Sequence, residues 1–155
     1  MPNSVLRPRG LRILVVDDYA GCAKVLAVLL RREGHEVETA ASARDALAAA
    51  ADGPPVDLLL SDIRLPDVDG CELLRRLRAL YNRDVPAIAI SGNGAPADVE
   101  KCRAAGYSQL LLKPIEFPDL LAGVREVQAR VHAAGRRLEC IPSTWNNAIS
   151  ARSVS

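Results

Sequence analysis

The chain alternates short apolar runs with longer segments of helical periodicity, and it repeats this alternation five times. We predict strands at the apolar runs, which are residues 11–16, 35–40, 56–61, 87–91 and 107–112. The first, third and fourth runs are almost continuously apolar, which is typical of parallel strands covered on both faces. Parallel strands need long crossover connections, and a helix usually provides them. The alternation therefore predicts an α/β fold.

Apolar residues recur every three or four positions between these runs, as on one face of a helix. The predicted stripes are Cys22, Val25, Leu26 and Leu29, then Leu73, Leu77 and Leu80, and finally Leu120, Val124, Val127 and Val131. Ser42 precedes an alanine-rich helix as a predicted N-cap, and Pro96 opens another helix that ends at Ala105. Gly34 and Gly106 follow two helices as C-terminal caps. Five such units predict a doubly wound fold, with a five-stranded parallel sheet and helices on both faces.

The composition is 49% hydrophobic and only 3% aromatic, which predicts a globular core of leucine, valine, isoleucine and alanine. The four cysteines form no CxxC pair, and neither histidine lies at metal-ligand spacing from them. We expect the cysteines within helices to be free thiols that pack as small hydrophobic side chains. The cysteines are Cys22, Cys71, Cys102 and Cys140.

Acidic residues follow two of the predicted strands at the point where each strand ends. Asp17 and Asp18 come directly after the first run, and Asp62 follows the third. In doubly wound sheets, ligands bind beyond the carboxyl ends of the strands. Three carboxylates there would repel one another unless a cation lay between them, and carboxylate oxygens suit Mg²⁺. Each aspartate alone is an ordinary strand end or helix cap, but their combination predicts a magnesium site.

Two further polar residues end the fourth and fifth strands. Lys113 closes the run LLLKP, where its ammonium can pair with the acids and with a phosphoryl oxygen. Pro114 follows it, and either isomer of the bond between them is possible. Ser91 supplies a hydroxyl that can donate to a phosphoryl oxygen. Both residues also have ordinary interpretations, as a surface lysine and a strand-end serine.

The segment DIRLPDVDG, residues 62–70, is the most specific signal in the chain. With it, the sequence resembles the receiver domains of two-component signalling, including those of hybrid histidine kinases and stand-alone receivers. That family has an acid pair after strand one, and an aspartate followed by proline four residues on and glycine eight residues on. It also has serine or threonine after strand four and Lys-Pro after strand five. The matching residues are Asp17, Asp18, Asp62, Pro66, Gly70, Ser91, Lys113 and Pro114.

The resemblance implies the (βα)5 flavodoxin-like receiver fold and a role for each site residue. Asp62 would be the phosphoacceptor, and Ser91 and Lys113 would bind the phosphoryl oxygens. Mg²⁺ would be held by Asp17, Asp18, Asp62 and the backbone carbonyl of Arg64. The phosphoryl donor would be a histidine kinase or a histidine phosphotransfer protein, and the domain would signal rather than act as an enzyme on other substrates.

The sequence departs from the family at one position. Many receivers carry tyrosine or phenylalanine three residues before the lysine, where its rotation reports phosphorylation. Leu110 occupies that position here, and the nearest aromatic residue is Tyr107. The resemblance therefore does not say how Leu110 replaces the usual aromatic switch.

Three alternative functions fit the residues less well. A phosphatase of the haloacid dehalogenase type has DxD after strand one, whereas Asp17 and Asp18 are adjacent. A flavodoxin-like flavin binder would need a phosphate loop where these acids lie, and no GxxxxGK[ST] nucleotide loop is present. A degenerate receiver used only for docking would have lost acidic or lysine positions that this chain retains.

We expect an N-terminal extension at residues 1–10, a receiver domain at residues 11–134 and a flexible C-terminal tail at residues 135–155, which includes Trp145. The formal net charge of +1 and the absence of a basic stripe predict no DNA binding. No signal peptide and no apolar run long enough to span a membrane is present, which predicts a cytoplasmic protein. We expect a monomer or a weak dimer.

Overall fold

The computed structural model describes residues 10–134, within which five parallel strands alternate with five helices. The strands are β1 (Arg12–Val16), β2 (Glu36–Ala40), β3 (Leu58–Asp62), β4 (Ala87–Ser91) and β5 (Gln109–Leu112). The helices are α1 (Ala20–Arg32), α2 (Ala43–Asp52), α3 (Gly70–Tyr81), α4 (Pro96–Ala105) and α5 (Phe117–Ala134). The predicted fold is confirmed, although four strands begin one or two residues later than expected and β3 extends to Asp62.

The strand order β2-β1-β3-β4-β5 places the first strand inside the sheet. From β1 the chain first turns to one side to form β2, and it then crosses to the other side to form β3, β4 and β5. Val16 lies opposite Ala40 on one side and Ser61 on the other. The carboxyl ends of β1 and β3 are thus adjacent at the point where the winding direction reverses, and this is where doubly wound sheets bind ligands.

Alternate residues of the central strands enter two separate hydrophobic cores, one on each face of the sheet. Ile13 and Val15 face α1 and α5, whereas Leu14 and Val16 face α2, α3 and α4. Because side chains of a strand alternate between faces, a continuously apolar strand must be covered on both. The helical residues that close these cores include Leu26, Leu30, Leu120 and Val124 on the first face, and Ala46, Leu73, Leu77 and Cys102 on the second.

The predicted helix ends have the expected geometry. The Ser42 hydroxyl accepts a hydrogen bond from Asp45 N at 3.1 Å, which satisfies one of the free amides at the start of α2. Pro96 is the first residue of α4. Gly106 ends that helix with a φ of 107°, a left-handed conformation that glycine adopts without a steric penalty.

Two of the predicted apolar stripes are partly wrong. In α1 the buried residues are Ala23, Leu26, Ala27 and Leu30, one position beyond the predicted stripe. Val25 is 57% exposed instead. Because alanine lets a helix approach the sheet closely, small residues occupy part of the face that contacts the sheet. The sequence had predicted bulkier side chains on that face. In the last turn of α3, Leu80 is 46% exposed, and Leu74 is buried in the core.

Strand β2 forms one edge of the sheet and is the most exposed of the five described strands. Its two glutamates, Glu36 and Glu38, are both exposed. Arg12 of the neighbouring strand pairs with Glu38 at 3.1 Å. This edge is therefore polar, in contrast to the central strands.

Some predictions fall on residues that the structure does not describe. These are the N-terminal extension up to residue 9, the tail at residues 135–155, Trp145 and Cys140. Among the helices of residues 10–134, none combines the length and the apolar character that crossing a membrane requires.

Candidate functional site

The three predicted acids lie together at the carboxyl edge of the sheet. Asp17 and Asp18 follow β1, Asp62 is the last residue of β3, and one carboxylate oxygen from each lies within 4.8 Å of the others. Asp17 and Asp62 are 1% and 7% exposed, and Asp18 is exposed. Two acids of the cluster are therefore buried, and the third is open to solvent.

Backbone contacts hold the first of these acids in place. Asp17 N donates to Ala40 O at 3.0 Å, which extends the pairing of β1 and β2 by one residue. One carboxylate oxygen, Oδ1, accepts from Tyr19 N at 2.9 Å and helps to turn the chain into α1. The other oxygen, Oδ2, is buried and accepts no hydrogen bond within the described part of the chain. Its contact is an ion pair with Lys113, whose Nζ lies 3.1 Å away.

Lys113 also contacts Asp62. Its Nζ donates to Asp62 Oδ2 at 2.8 Å, while Asp62 Oδ1 accepts from Arg64 N at 3.0 Å. The main chain of Lys113 is fixed by a bond from its amide to Ser91 O at 2.8 Å, and the bond to Pro114 is cis. Burial alone would lower the pKa of Lys113, but the hydrogen bond with Asp62 and the negative charges of Asp62 and Asp17 outweigh it and raise the pKa. The ammonium therefore stays charged near neutral pH.

The Ser91 hydroxyl is engaged within its own loop. It donates to Asn93 O at 2.6 Å and accepts from Asn93 N at 3.0 Å. The Asn93 side chain in turn accepts from Ala95 N at 3.0 Å, just before α4 begins. Ser91 thus holds the β4–α4 loop, residues 92–95, in a defined turn.

The β3–α3 loop, residues 63–69, is held by side-chain contacts with three helices, which we did not predict from the sequence. The Asp67 carboxylate accepts from the amides of Ala43 and Arg44 and so caps α2 from another part of the chain. Asp69 accepts from Glu72 N at 2.8 Å and caps α3. It also pairs with Lys101 of α4. An acidic residue followed three positions later by glutamate is a capping signal that the sequence does contain. The contact of Asp67 with α2 has no such local signal.

Gly70 lies against the backbone of the phosphoacceptor candidate. A Cβ atom at this position would lie 2.5 Å from Asp62 O and 3.2 Å from the hydroxyl of Tyr107. The Tyr107 hydroxyl donates to Gly70 O at 2.6 Å, and Gly70 N donates to Ile63 O at 2.7 Å. The glycine of the DIRLPDVDG segment therefore allows α3 to start directly beside the end of β3.

The two residues considered for the aromatic switch are both buried. Leu110 is 1% exposed and packs in the core beneath α2, α3 and α4. Tyr107 is 2% exposed, and burial raises the pKa of its hydroxyl. Neither side chain lies at the surface in the described conformation.

Cys22 is a further neighbour of the acids that the sequence did not indicate. Burial raises the pKa of its thiol to about 11, and the nearby Asp17 carboxylate contributes to the same effect. The thiol is therefore neutral at physiological pH and adds no charge to the cluster.

A family model described as "Response regulator receiver domain" matches residues 13–125. The chain belongs to the response regulator receiver domain family. It is a signalling domain of two-component systems. The donor set of the site, three carboxylates with one buried oxygen that lacks a hydrogen bond, also fits the Mg²⁺ that receiver domains bind.

Curated relatives of this receiver domain include longer regulators. It is 36% identical over 124 residues to the transcriptional regulatory protein TcrA of Mycobacterium tuberculosis, covering 80% of this chain and 48% of that protein. It is 36% identical over 121 residues to the two-component response regulator ARR11 of Arabidopsis thaliana, covering 77% of this chain and 23% of that protein. The chain therefore spans about half of the first relative's length and less of the second's.

Solved receiver structures match this chain over nearly their whole length. A CheY-like receiver domain protein from Methanospirillum hungatei JF-1 is 31% identical with a TM-score of 0.72, covering 80% of this chain and 98% of that one. The chemotaxis response regulator CheY4 of Vibrio cholerae is 29% identical with a TM-score of 0.68, covering 76% and 98%. The described fold is thus that of CheY-like receivers.

Proposed function

We propose that this receiver accepts a phosphoryl group on Asp62 from a histidine kinase or a histidine phosphotransfer protein, in a Mg²⁺-dependent reaction. The carboxylate oxygen of Asp62 forms the new bond to phosphorus, and the nitrogen of the donor histidine leaves with the electron pair of the bond that breaks. The resulting aspartyl phosphate switches the binding of a downstream protein.

One observation carries this proposal. The carboxylate of Asp62 lies beside two other carboxylates and within 2.8 Å of the Lys113 ammonium, at an edge that is partly open to solvent. A structural ion pair would need only one acid for one lysine. Three acids around one ammonium leave negative charge in excess, which favours a divalent cation at the same place.

Asp17, Asp18, Asp62 and the carbonyl of Arg64 are the proposed protein ligands of the metal. Bound Mg²⁺ supplies positive charge that offsets the repulsion between the carboxylates and an incoming phosphoryl group. The bond from Arg64 N to Asp62 Oδ1 supports this arrangement, because it fixes the start of the β3–α3 loop relative to the acceptor. Asp67 and Asp69 hold the rest of that loop and act as positioning residues.

Lys113 and Ser91 are the proposed contacts of the phosphoryl oxygens. Lys113 already lies beside Asp62, so its ammonium can stay in place as negative charge is added there. Ser91 must release Asn93 before its hydroxyl can turn towards a phosphoryl oxygen. Because the Asn93 side chain also supports the start of α4, this release would alter the β4–α4 loop and carry the signal. In this mechanism the signal would need no rotating aromatic side chain at the position of Leu110, which is buried in the core.

The test is phosphorylation with acetyl phosphate and Mg²⁺, followed by intact mass measurement and cleavage mapping. We expect one phosphoryl group that is stable to acid and labile to base, and we expect Asp62→Asn to lose it. Asp57→Asn is a matched control, because Asp57 lies at the opposite end of β3 and bonds to Arg12 N at 2.9 Å. Labelling that persists in Asp62→Asn would place the acceptor elsewhere and refute the proposal.

A further inference from the structure

Two cysteines that lie 31 residues apart in the chain meet between α3 and α4. Cys71 is the second residue of α3, and Cys102 lies in the last turns of α4. Their sulfur atoms are 3.9 Å apart. A disulfide bond is about 2.05 Å long, so the two atoms need to approach by about 1.9 Å for a bond to form.

The two thiols differ in access. Cys102 is fully buried in the core on this face of the sheet. Cys71 is half-buried and lines a cleft of about 470 Å³ between the two helices. A small oxidant can therefore reach Cys71 from solvent, whereas the Cys102 thiol is shielded from it.

The surroundings also distinguish the two sulfurs chemically. The hydrogen bond with Cys102 lowers the pKa of Cys71, against the opposing effect of burial. The position of Cys71 in the first turn of a helix favours its thiolate in the same way. Among the nearby charges, the carboxylates of Asp69 and Asp98 raise the pKa of Cys71 and the Lys101 ammonium lowers it, with the effect of Asp69 larger than that of the lysine. For Cys102, the hydrogen bond with Cys71 and burial both raise the pKa. Cys71 is thus the thiol better suited to attack an oxidant, and Cys102, whose sulfur lies 3.9 Å away, is placed to react with the product.

We propose that Cys71 and Cys102 form a reversible disulfide on exposure to a peroxide, with Cys71 as the attacking thiol and Cys102 as the resolving one. The Cys71 thiolate attacks one peroxide oxygen, the O–O bond breaks, and a sulfenic acid and hydroxide form. The Cys102 sulfur then attacks the sulfenic sulfur, the S–O bond breaks, and the hydroxyl leaves with the Cys102 proton as water. The hydroxide takes up the proton that Cys71 released, so two thiols are oxidised and one hydrogen peroxide is reduced to two waters.

The bond would join α3 to α4 across the cleft. It does not involve the carboxylate cluster, so it is independent of whether Asp62 accepts a phosphoryl group. A cross-link between two helices that both follow site loops would restrict their relative movement.

The test is treatment of the full-length reduced protein with hydrogen peroxide, followed by alkylation, intact mass measurement and non-reducing peptide mapping. We expect the loss of two hydrogen atoms, a linked peptide pair containing Cys71 and Cys102, and reversal by dithiothreitol. Cys22→Ser, which removes a thiol on the opposite face of the sheet, should form the same bond at the same rate. A wild-type protein that keeps both thiols free, or that links either one to Cys22 or Cys140 instead, would overturn the proposal.

The order of attack is tested with Cys102→Ala. Removal of the resolving thiol should allow a sulfenic acid at Cys71 to be trapped by dimedone, whereas wild type should give the disulfide and little adduct. Circular dichroism shows whether this core variant folds, and the wild-type mapping stands whether it does or not. Absence of a dimedone adduct on folded Cys102→Ala would contradict the assigned order.

Discussion

Among the single residues of the site, Lys113 determines the charge balance. Its ammonium lies 2.8 Å from Asp62 Oδ2 and 3.1 Å from Asp17 Oδ2, and it therefore neutralises part of a cluster of three carboxylates. Loss of this ammonium would leave three negative charges close together, and their mutual repulsion would destabilise the folded state. The same lysine thus supports both the stability of the fold and the proposed phosphoryl contact.

Gly70 gives a prediction at this scale. In Gly70→Ala, the new Cβ would lie 2.5 Å from Asp62 O, so the backbone must move beside the proposed acceptor. We expect a loss of about 1–3 kcal/mol in the free energy of unfolding, as for overpacked sites, together with slower phosphorylation. Gly92→Ala is the control, because no atom lies within 4 Å of its Cβ position. Urea denaturation checks both variants, and equal stabilities would show that the close approach at Gly70 is not limiting.

The clustering of the three acids could be predicted from sequence because each lies at the carboxyl end of a largely apolar strand. The prediction needs only one rule about the folded structure, that parallel strands end at the same edge of the sheet. This rule brings together Asp17, Asp18 and Asp62. The contacts of Asp67 with α2 and of Tyr107 with Gly70 could not be predicted in this way. They join segments that are neighbours only after the helices have packed, and no local pattern marks them.

At the scale of elements, strands were predicted more accurately than helix faces. The central strands β3 and β4 are buried on both sides and are apolar up to the polar residues at their carboxyl ends, so their position has little ambiguity. The helix α1 has two possible stripes one residue apart, and the choice depends on how closely the helix packs on the sheet. Its alanines Ala23 and Ala27 face the core, and Val25 faces solvent.

The junction of β1 and β2 gives a prediction of pH dependence. Nδ1 of buried His35 accepts from Leu11 N at 2.9 Å, which requires that nitrogen to carry no proton. Burial lowers the pKa of His35 from its usual 6.5, with Glu33 opposing the shift. As pH falls below 6.5 the unfolded chain therefore binds a proton that the folded chain does not, and stability decreases until the folded pKa is passed.

We expect wild type to lose more stability than His35→Gln between about pH 7.5 and about pH 5.5, by up to about 1.4 kcal/mol per pH unit. Urea denaturation of both proteins at each pH measures this, because titrating groups common to both cancel in the difference. Parallel pH profiles for the two proteins would mean that His35 does not contribute.

At the scale of the whole molecule, the proposed metal site is coupled to global stability. A ligand that binds only the folded state stabilises it by about 2.7 kcal/mol at a concentration one hundred times the dissociation constant. We therefore expect Mg²⁺ to raise the melting temperature of wild type, and to raise that of Asp18→Asn much less. Metal-free Asp18→Asn should melt no lower than wild type, because one mutually repelling charge is gone.

Differential scanning calorimetry with and without MgCl₂ measures both effects. Asp52→Asn is the matched control, because Asp52 is an exposed aspartate at the end of α2 and lies outside the acid cluster. If Mg²⁺ shifted the melting temperature of Asp18→Asn as much as that of wild type, Asp18 would not be a ligand.

The charged edge at β2 also has a consequence for aggregation. Within residues 10–134 no strand pairs with the outer edge of β2, so a strand of another molecule can add there. One outer carbonyl is already used, because Val37 O accepts from Arg31 Nη2 at 2.8 Å. A second copy approaching through the same strand would bring its own Glu36 and Glu38 against this pair, and like charges facing each other across strands are unfavourable. At neutral pH the edge therefore resists fibril-like stacking of one copy on the next. Replacement of both glutamates by glutamine would remove that protection.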